Sequence, residues 1–171
     1  MAGFLFLNQA GYMECSAYLT AGEREAGVGG ELWPHRDWLP GPVQILGMTS
    51  SEEDHGWVQA TGRVSPRVDH LVLEHGDGQT TAARIDNGTF GLISRNDDVT
   101  PAAALVRYGS TGQEFRRKAI FALQRDTHCY TDHTGKLIYR ETRHDCLPAD
   151  PWIRQSGVVN SELLGLADEV D

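Results

Sequence analysis

Two cysteines in the last third of the chain are spaced so that they could form a disulfide bond. Cys129 and Cys146 flank a segment with the turn-like sequence TDHTG (131–135), followed by apolar residues at 137–139. In a two-stranded ribbon closed by that turn, cysteines at the base can reach the Cβ separation that a disulfide requires. Such a bond would stabilise a peripheral ribbon by ~3 kcal/mol on the chain-entropy model. The spacing therefore predicts a Cys129–Cys146 disulfide.

The same cysteines belong to a second possible site. Cys129, His133, His144 and Cys146 supply the ligand types of a tetrahedral zinc ion. Their spacing matches no recognised zinc finger. Free thiols are the third possibility. Cys15 is interpreted as a buried thiol, or as the true partner of one of the other two cysteines.

Histidines are the candidates for acid–base catalysis. The seven are His35, His55, His70, His75, His128, His133 and His144. Catalysis would require several of them to meet carboxylates and a nucleophile in one pocket. The chain contains no G-x-S-x-G elbow, P-loop or G-x-G-x-x-G sequence. Each histidine is therefore interpreted as a surface residue, with His70 and His75 on opposite faces of one strand.

The segment LWPHRDWLPGP (32–42) combines two tryptophans with three prolines. Exposed tryptophans are typical of binding surfaces. Trp33, His35 and Trp38 are therefore the candidate ligand-binding residues. The alternative is that Trp33 and Trp38 plug one end of the core.

Charge and hydropathy exclude some partners and leave the compartment open. The net charge of −9 argues against nucleic acid, whose binding requires a basic surface. No apolar run approaches the ~18–20 residues that cross a bilayer, and the short apolar patch at 4–7 is not a secretory signal. The chain is thus a cytoplasmic protein or a piece of a longer parent. The predicted disulfide favours an extracytoplasmic location.

Period-two alternation over Gly56–Ser94 predicts the elements that must position these residues. Val58, Ala60, Gly62 and Val64 alternate with polar neighbours, which is typical of a half-buried strand. Further strands are predicted at 67–75, 79–86 and 89–94. Gly76-Asp77-Gly78 and Asn87-Gly88 separate them, and an Asn-Gly pair favours a type I′ hairpin turn.

The remaining elements are also strands and loops. Strands are predicted at 4–8, 15–20, 43–48, 102–108 and 113–123, the last two forming a hairpin across GSTG (109–112). The glycine-rich segment 21–31 predicts a mobile loop. The acidic segment 50–55 predicts a solvated turn, because the spaced ligands of a calcium loop are absent. Residues 162–170 have weak helical spacing after Ser161.

The segment TGRVSPRVDHLVLEHGDGQTTAARIDNGTFGLIS resembles immunoglobulin-like β-sandwich segments of bacterial extracytoplasmic domains. The features that carry the resemblance are Gly62–Val64, Val68–Leu73, Asp77–Gly78 and Asn87–Phe90. The resemblance implies a sandwich fold and an extracytoplasmic compartment, and it transfers no catalytic residue.

These observations together predict an all-β protein: an antiparallel two-sheet sandwich of immunoglobulin-like type with an edge β-ribbon. The expected organisation is N-terminal strands and a loop packing on the core (1–42), the sandwich core (43–125), the Cys-bounded ribbon (126–152) and a tail (153–171). The expected function is a non-enzymatic binding or sensor module of a larger or anchored bacterial protein, with no cofactor and an unidentified protein or small-molecule ligand. The alternatives are a small hydrolase or metal-dependent enzyme, and a structural or assembly subunit marked by an exposed apolar patch.

Overall fold

The computed structural model describes residues 2–7, 10–20, 23–33, 35–50, 58–76, 78–94, 99–120, 129–139 and 146–153. Strands form the regular secondary structure of these residues, and no α-helix occurs among them. The described segments accordingly contain no helix with the length and apolar composition to cross a membrane. The all-β class predicted from the alternation is confirmed. Among the described residues, one compact unit ends at Arg36 and a second begins at Asp37.

The first unit contains a three-stranded antiparallel sheet. Its strands are β1 (Ala2–Leu7), β2 (Gly11–Thr20) and β3 (Glu23–Leu32), in the order β1-β2-β3. β2 pairs with β3 along the full length of both strands. The prediction of a loop over 21–31 is therefore wrong, because a continuous ladder of hydrogen bonds with β2 outweighs the low strand propensity of the glycines.

The second unit contains the other strands of the described chain. They are β4 (Trp38–Leu39), β5 (Val43–Ser50), β6 (Val58–Val64), β7 (His70–Glu74), β8 (Thr80–Ala82), β9 (Arg84–Asp86), β10 (Thr89–Ser94), β11 (Ala104–Tyr108), β12 (Glu114–Ala119), β13 (Tyr130–Thr131), β14 (Leu137–Tyr139), β15 (Leu147–Pro148) and β16 (Asp150–Pro151). Two four-stranded antiparallel sheets have the orders β5-β6-β10-β9 and β12-β11-β7-β8. The ribbon β14-β13-β15 and the pair β16-β4 complete the unit.

Both four-stranded sheets contribute side chains to one hydrophobic core. From β6 and β10 come Val58, Ala60, Val64, Phe90 and Leu92; from β7 and β11 come Leu71, Leu73 and Leu105. These residues alternate along their strands, so one face of each sheet supplies the core. Burial of these aliphatic and aromatic groups is the main stabilising contribution to the unit.

The turns follow the predicted chemistry closely. Asn87 and Gly88 have φ values of 49° and 75°, and they connect β9 to β10 with Asp86 paired to Thr89. Positive φ at both positions is the signature of the type I′ turn. A Cβ at Gly88 would lie 2.8 Å from the indole nitrogen of Trp152, so the glycine is also required for close approach.

The predicted strand at 79–86 is divided in two. β8 pairs with β7 in one four-stranded sheet, whereas β9 pairs with β10 in the other. Ala83 lies between them, and its N–H donates to the carbonyl of Leu71. The chain thus crosses from one sheet to the other within a segment whose alternation alone predicts a single strand.

β6 is buried on both faces rather than half-buried. Gln59, Thr61 and Arg63 alternate with the core residues, and all three are almost completely inaccessible. Arg63 contacts Tyr139 and Trp152, which follow it by more than 70 residues. The second face is covered by segments distant in sequence, and the local pattern does not encode that contact.

Candidate functional site

An open pocket lies where two turns of the second unit meet. Its volume is about 400 Å³, and Arg67, Gly109, Ser110 and Gln113 line it. Arg67 follows β6, and the other three belong to the turn between β11 and β12. This volume falls within the range of small-molecule sites, ~300–1,000 Å³. We refer to these four residues as the Arg67 pocket.

Arg67 is fixed in place by a buried carboxylate. Its Nε and Nη2 atoms donate to the two oxygens of Asp150 at 2.8–3.1 Å. The side chain of Arg67 is 63% exposed, whereas that of Asp150 is 7% exposed. Fork-to-fork pairs of this kind add geometric precision to charge attraction. Because the bonds use Nε and Nη2, the Nη1 edge of the guanidinium is directed away from Asp150.

The walls of the Arg67 pocket are held by backbone hydrogen bonds. Gly109 donates to the carbonyl of Gln113 at 3.2 Å, and Gly112, with φ 74°, donates to the carbonyl of Gly109 at 2.8 Å. The hydroxyl of Ser65 accepts from the N–H of Arg67, and Asp69 donates to the carbonyl of Tyr108. The bond from Asp69 to Tyr108 joins the two turns and the other three hold each turn internally, so the pocket is organised before any ligand arrives.

The chemistry available in the pocket is hydrogen bonding. Arg67 offers a cationic donor, Ser110 a hydroxyl and Gln113 an amide. None of the four lining residues is a histidine, cysteine or carboxylate, so the lining contains no pair of nucleophile and base. The arrangement suits recognition of oxygen acceptors more than bond cleavage.

The candidate ligand residues from the sequence are distributed over both units. In the first, Trp33 packs on Tyr12 with ring centroids 5.2 Å apart, and His35 is half-buried. In the second, Trp38 is half-buried on β4, with its ring 6.0 Å from that of His133. Trp38 is not among the residues that line the Arg67 pocket. A ligand at these three residues stays a prediction.

The predicted disulfide between Cys129 and Cys146 is present. The Cα atoms of the two residues are 4.6 Å apart, and Leu147 donates to the carbonyl of Cys129 at 2.9 Å. A zinc site would require both sulfur atoms as thiolates, and the disulfide uses both. His144 lies outside the described residues. Cys15 is a free thiol as expected, but it is half-buried, so the prediction of a buried thiol is wrong.

A buried arginine connects the ribbon to the adjacent sheet. Arg63 donates from Nε and Nη2 to the side-chain oxygen of Gln44 at 2.9 and 2.6 Å, and from Nη2 to the carbonyl of Trp38 at 3.2 Å. The hydroxyl of Tyr139 donates to the same carbonyl at 3.2 Å. The guanidinium carbon lies 4.7 Å from the centre of the Trp152 ring, a cation–π distance. We call these five residues the Arg63 cluster.

The electrostatics of the Arg63 cluster affect its phenol. Burial raises the pKa of Tyr139 above its ordinary value of 10.0, and the charge of Arg63 opposes that shift. Desolvation disfavours the phenolate, so Tyr139 stays protonated and can donate its hydroxyl hydrogen throughout the neutral range.

The turn of the ribbon is organised around Asp132. Its carboxylate oxygen Oδ1 accepts from the hydroxyl of Thr134 at 2.6 Å, and from the N–H groups of Thr134 and Lys136 at 2.8 and 2.9 Å. Gly135, with φ 83°, closes the turn. The bond from the Thr134 hydroxyl is the largest cause that lowers the pKa of Asp132 below its ordinary value of 3.8.

The ribbon turn is expected to lose stability in acid. A lowered folded-state pKa stabilises the fold above the unfolded-state pKa, and this stabilisation disappears as pH falls below about 4 through the folded value. A carbon-detected NMR titration of the Asp132 carboxyl, together with the amide shifts of Thr134 and Lys136, measures this. Asp132→Asn is the matched control and should remove the transition. A carboxyl that titrates at or above 3.8 would contradict the assignment.

The described histidines have different environments. His70 is exposed, whereas His75 is buried and its Nε2 lies 2.9 Å from the hydroxyl of Thr81 and 3.2 Å from that of Ser94. The prediction of opposite faces is confirmed, and the prediction that His75 is a surface residue is wrong. Ser94 is also fully buried, so this contact links the two sheets inside the core. His55, His128 and His144 lie outside the described residues.

Comparison with known proteins gives no relative: no family model, curated protein or solved structure matches the chain. The assignment of function therefore depends on the geometry of the site. The Arg67 pocket is the candidate site, because it combines an accessible cavity with a charged donor that Asp150 holds in place.

Sequence reasoning missed the residues of the Arg67 pocket. GSTG was predicted as a hairpin turn, but nothing local indicates that it meets the segment that follows β6. Asp150, the partner of Arg67, is 83 residues away. Two local features could have drawn attention to the pocket: Arg67 directly follows Pro66, and GSTG (109–112) is a polar hairpin turn. Neither feature indicates that the two segments are neighbours.

Proposed function

We propose that the protein is a non-enzymatic binding module whose Arg67 pocket takes a small ligand rich in oxygen acceptors, such as a carboxylate. The observation that carries the proposal is the forked pair between Arg67 and buried Asp150 at the edge of an open cavity. Asp150 holds the guanidinium rigid, and the Nη1 edge supplies donors to the ligand. Ser110 and Gln113 add donors from the opposite turn.

Charge balance favours a carboxylate over a more highly charged anion. The buried carboxylate of Asp150 offsets the charge of Arg67, so the pocket presents donors without a large net positive potential. The chain as a whole carries a net charge of −9. A polyphosphate or nucleic acid would meet repulsion from that field, whereas a small carboxylate pays little of this cost.

The proposed setting is the extracytoplasmic part of a larger or anchored bacterial protein, with an immunoglobulin-like sandwich as the scaffold. Two features support it: two antiparallel sheets contribute to one core, and Cys129 is bonded to Cys146. Disulfides persist in oxidising compartments. A ligand pocket formed by turns at the end of a rigid sheet is the usual way such scaffolds bind.

Titration of ¹⁵N-labelled protein with succinate, citrate and glucose tests the proposal. We expect amide shifts at Gly109, Ser110 and Gln113 with the carboxylates and none with glucose. Arg67→Gln should weaken succinate binding about tenfold or more, because a charged hydrogen bond contributes ~1.5–3 kcal/mol. Arg84→Gln changes an exposed side chain of β9; it is the control and should bind normally.

A second variant separates loss of binding from loss of structure. Arg67→Gln leaves the buried carboxylate of Asp150 without its cation, so its melting curve must be recorded beside the titration. Gln113→Ala changes the opposite wall and leaves Asp150 paired. Unchanged affinity in both variants, or carboxylate shifts located elsewhere, would reject the pocket as the binding site.

A further inference from the structure

The Arg67 pocket is too open to enclose a free small molecule. Its volume of about 400 Å³ opens to solvent, and the side chain of Arg67, its charged donor, is 63% exposed. Sites that hold free small molecules usually bury ~70–90% of the ligand surface. A carboxylate bound in this pocket therefore needs further contacts outside it, as a carboxylate at the end of a larger ligand would have.

The turn that lines the pocket offers main-chain as well as side-chain donors. The N–H groups of Ser110 and Gln113 donate to no atom of the described chain, so both are available to a ligand. The hydroxyl of Thr111 donates to the side-chain oxygen of Gln113, which leaves the amide nitrogen of Gln113 as the donor for the pocket. Several N–H donors in a turn beside a fixed guanidinium are suited to capture a terminal carboxylate.

The pocket lies at one end of an outer strand. Gln113 lines the pocket, and β12 begins at the next residue, Glu114. In the sheet order β12-β11-β7-β8, β12 pairs with β11 on one side, and no strand of the described chain pairs with its other side. An outer strand of this kind can accept an extended peptide as an additional strand.

The pairing of β12 with β11 determines which main-chain groups face outward. The N–H of Ile120 donates to the carbonyl of Ala103, at the end of the register between the two strands. Bonded and non-bonded residues alternate along an antiparallel pair. The main-chain N–H and C=O groups of Arg117 and Ala119 therefore point away from β11, and we call these groups the β12 edge.

We propose that the Arg67 pocket and the β12 edge together bind the acidic C-terminal segment of a polypeptide. This inference rests on the proposed function, since the pocket must bind the terminal carboxylate. β12 runs away from the pocket, so a peptide added antiparallel to it runs toward the pocket and ends there. A parallel peptide would instead present its amino end to Arg67. Because β12 has 6 residues, a hexapeptide at ~3.4 Å per residue spans it.

The charge of β12 favours an acidic partner. Its residues Arg116, Arg117 and Lys118 are basic, against one acidic residue, Glu114. The net charge of the whole chain is −9, but charges farther away than ~8 Å are largely screened at physiological salt. The charge that a peptide beside β12 meets is therefore set by the strand itself, and it complements acidic side chains as well as a terminal carboxylate.

NMR titration of the ¹⁵N-labelled full chain with the acetylated hexapeptide ETETEV, which has a free C-terminus, tests the proposal. We expect amide shifts at Ser110, at Gln113 and along β12, and a dissociation constant at least ~10-fold below that for succinate. The same peptide with a C-terminal amide lacks the carboxylate that Arg67 receives, and it should bind at least ~10-fold more weakly. The basic hexapeptide KTKTKV with a free C-terminus should bind at least ~5-fold more weakly.

A matched pair of variants tests the β12 edge. Arg117→Pro removes both a charge and an outward N–H, whereas Arg117→Thr removes the same charge and retains the N–H. Arg117→Pro should bind ETETEV at least ~5-fold more weakly than Arg117→Thr does. Both variants should bind succinate like the wild type, which shows that the pocket and the fold are intact. Nuclear Overhauser effects between ETETEV and the main-chain protons of Arg117 and Ala119 test the same contact without any substitution.

Several outcomes would overturn this inference and leave the proposed function standing. One is that ETETEV binds no more tightly than succinate, since the pocket would then take a free acid. Another is that the amidated peptide or KTKTKV binds as tightly as ETETEV. A third is that bound ETETEV shows no contact with the main chain of Arg117 and Ala119. If neither succinate nor ETETEV shifts the amides of the pocket, the proposed function fails, and this inference fails with it.

Discussion

Replacing both Cys129 and Cys146 by serine is expected to lower the midpoint of thermal unfolding by about 6–12 °C. The bond joins residues 17 positions apart, and closing a loop of that size contributes ~3 kcal/mol on the chain-entropy model. For a chain of this length, each kcal/mol shifts the midpoint by ~2–4 °C. The ribbon has only short strands, so few hydrogen bonds remain to replace the covalent link.

Differential scanning calorimetry of the variant and of the oxidised and reduced wild-type protein measures this effect. Reduced wild-type protein and the double serine variant should agree. Cys15→Ser is the matched control, because it removes a free thiol and leaves the disulfide in place; its midpoint should change by less than about 2 °C. A double serine variant that melts with the wild type would show that the ribbon is held by its non-covalent contacts.

Replacing Arg63 by methionine is expected to reduce the free energy of unfolding by about 2–4 kcal/mol. Replacing a buried charge by an apolar group is sometimes neutral, because desolvating the charge is costly. Here the substitution also removes both Arg63 donors from the side-chain oxygen of Gln44, and an unsatisfied buried group costs ~1–3 kcal/mol. The carbonyl of Trp38 keeps the Tyr139 hydroxyl as a donor. The lost cation–π contact with Trp152 adds to the cost.

Urea unfolding followed by tryptophan fluorescence and by far-ultraviolet circular dichroism measures the effect of Arg63→Met. A double-mutant cycle with Tyr139→Phe isolates the coupling between the sheet and the ribbon, which should be favourable because Nη2 of Arg63 donates to the hydroxyl of Tyr139 at 3.5 Å. Arg84→Met, at the exposed first residue of β9, serves as the control and should stay within ~0.5 kcal/mol of wild type. An unchanged or increased stability for Arg63→Met would mean that desolvation of the guanidinium outweighs its contacts.

Local chemistry made part of this fold predictable. Asn87-Gly88 specifies its own backbone conformation, and the structure has positive φ at both positions. The hairpin across GSTG was also predicted, and it joins β11 to β12. The Cys129–Cys146 pair was predicted because a turn between two strands brings the ends of a short segment together. In each case the determining residues lie within about twenty positions of one another.

Contacts between distant segments explain the failures. The alternation of β6 predicted one buried face, and the second face is buried because Tyr139 and Trp152 cover Arg63. Glycine-rich β3 was interpreted as a loop because its propensity is low, and its pairing with β2 outweighs that propensity. The Arg67 pocket depends on Asp150, which no local pattern connects to Arg67. The most informative parts of the site are thus those that tertiary structure creates.

The pairing of β4 with β16 brings the two ends of the second unit together. Leu39 pairs with Asp150, and the N–H of Trp152 donates to the carbonyl of Asp37 at 2.8 Å. The chain therefore enters and leaves this unit at neighbouring points. A unit with adjacent ends can be spliced into a surface loop of a host protein, or circularly permuted, with little strain on its fold. The second unit thus has the geometry of a domain that can be inserted into another protein.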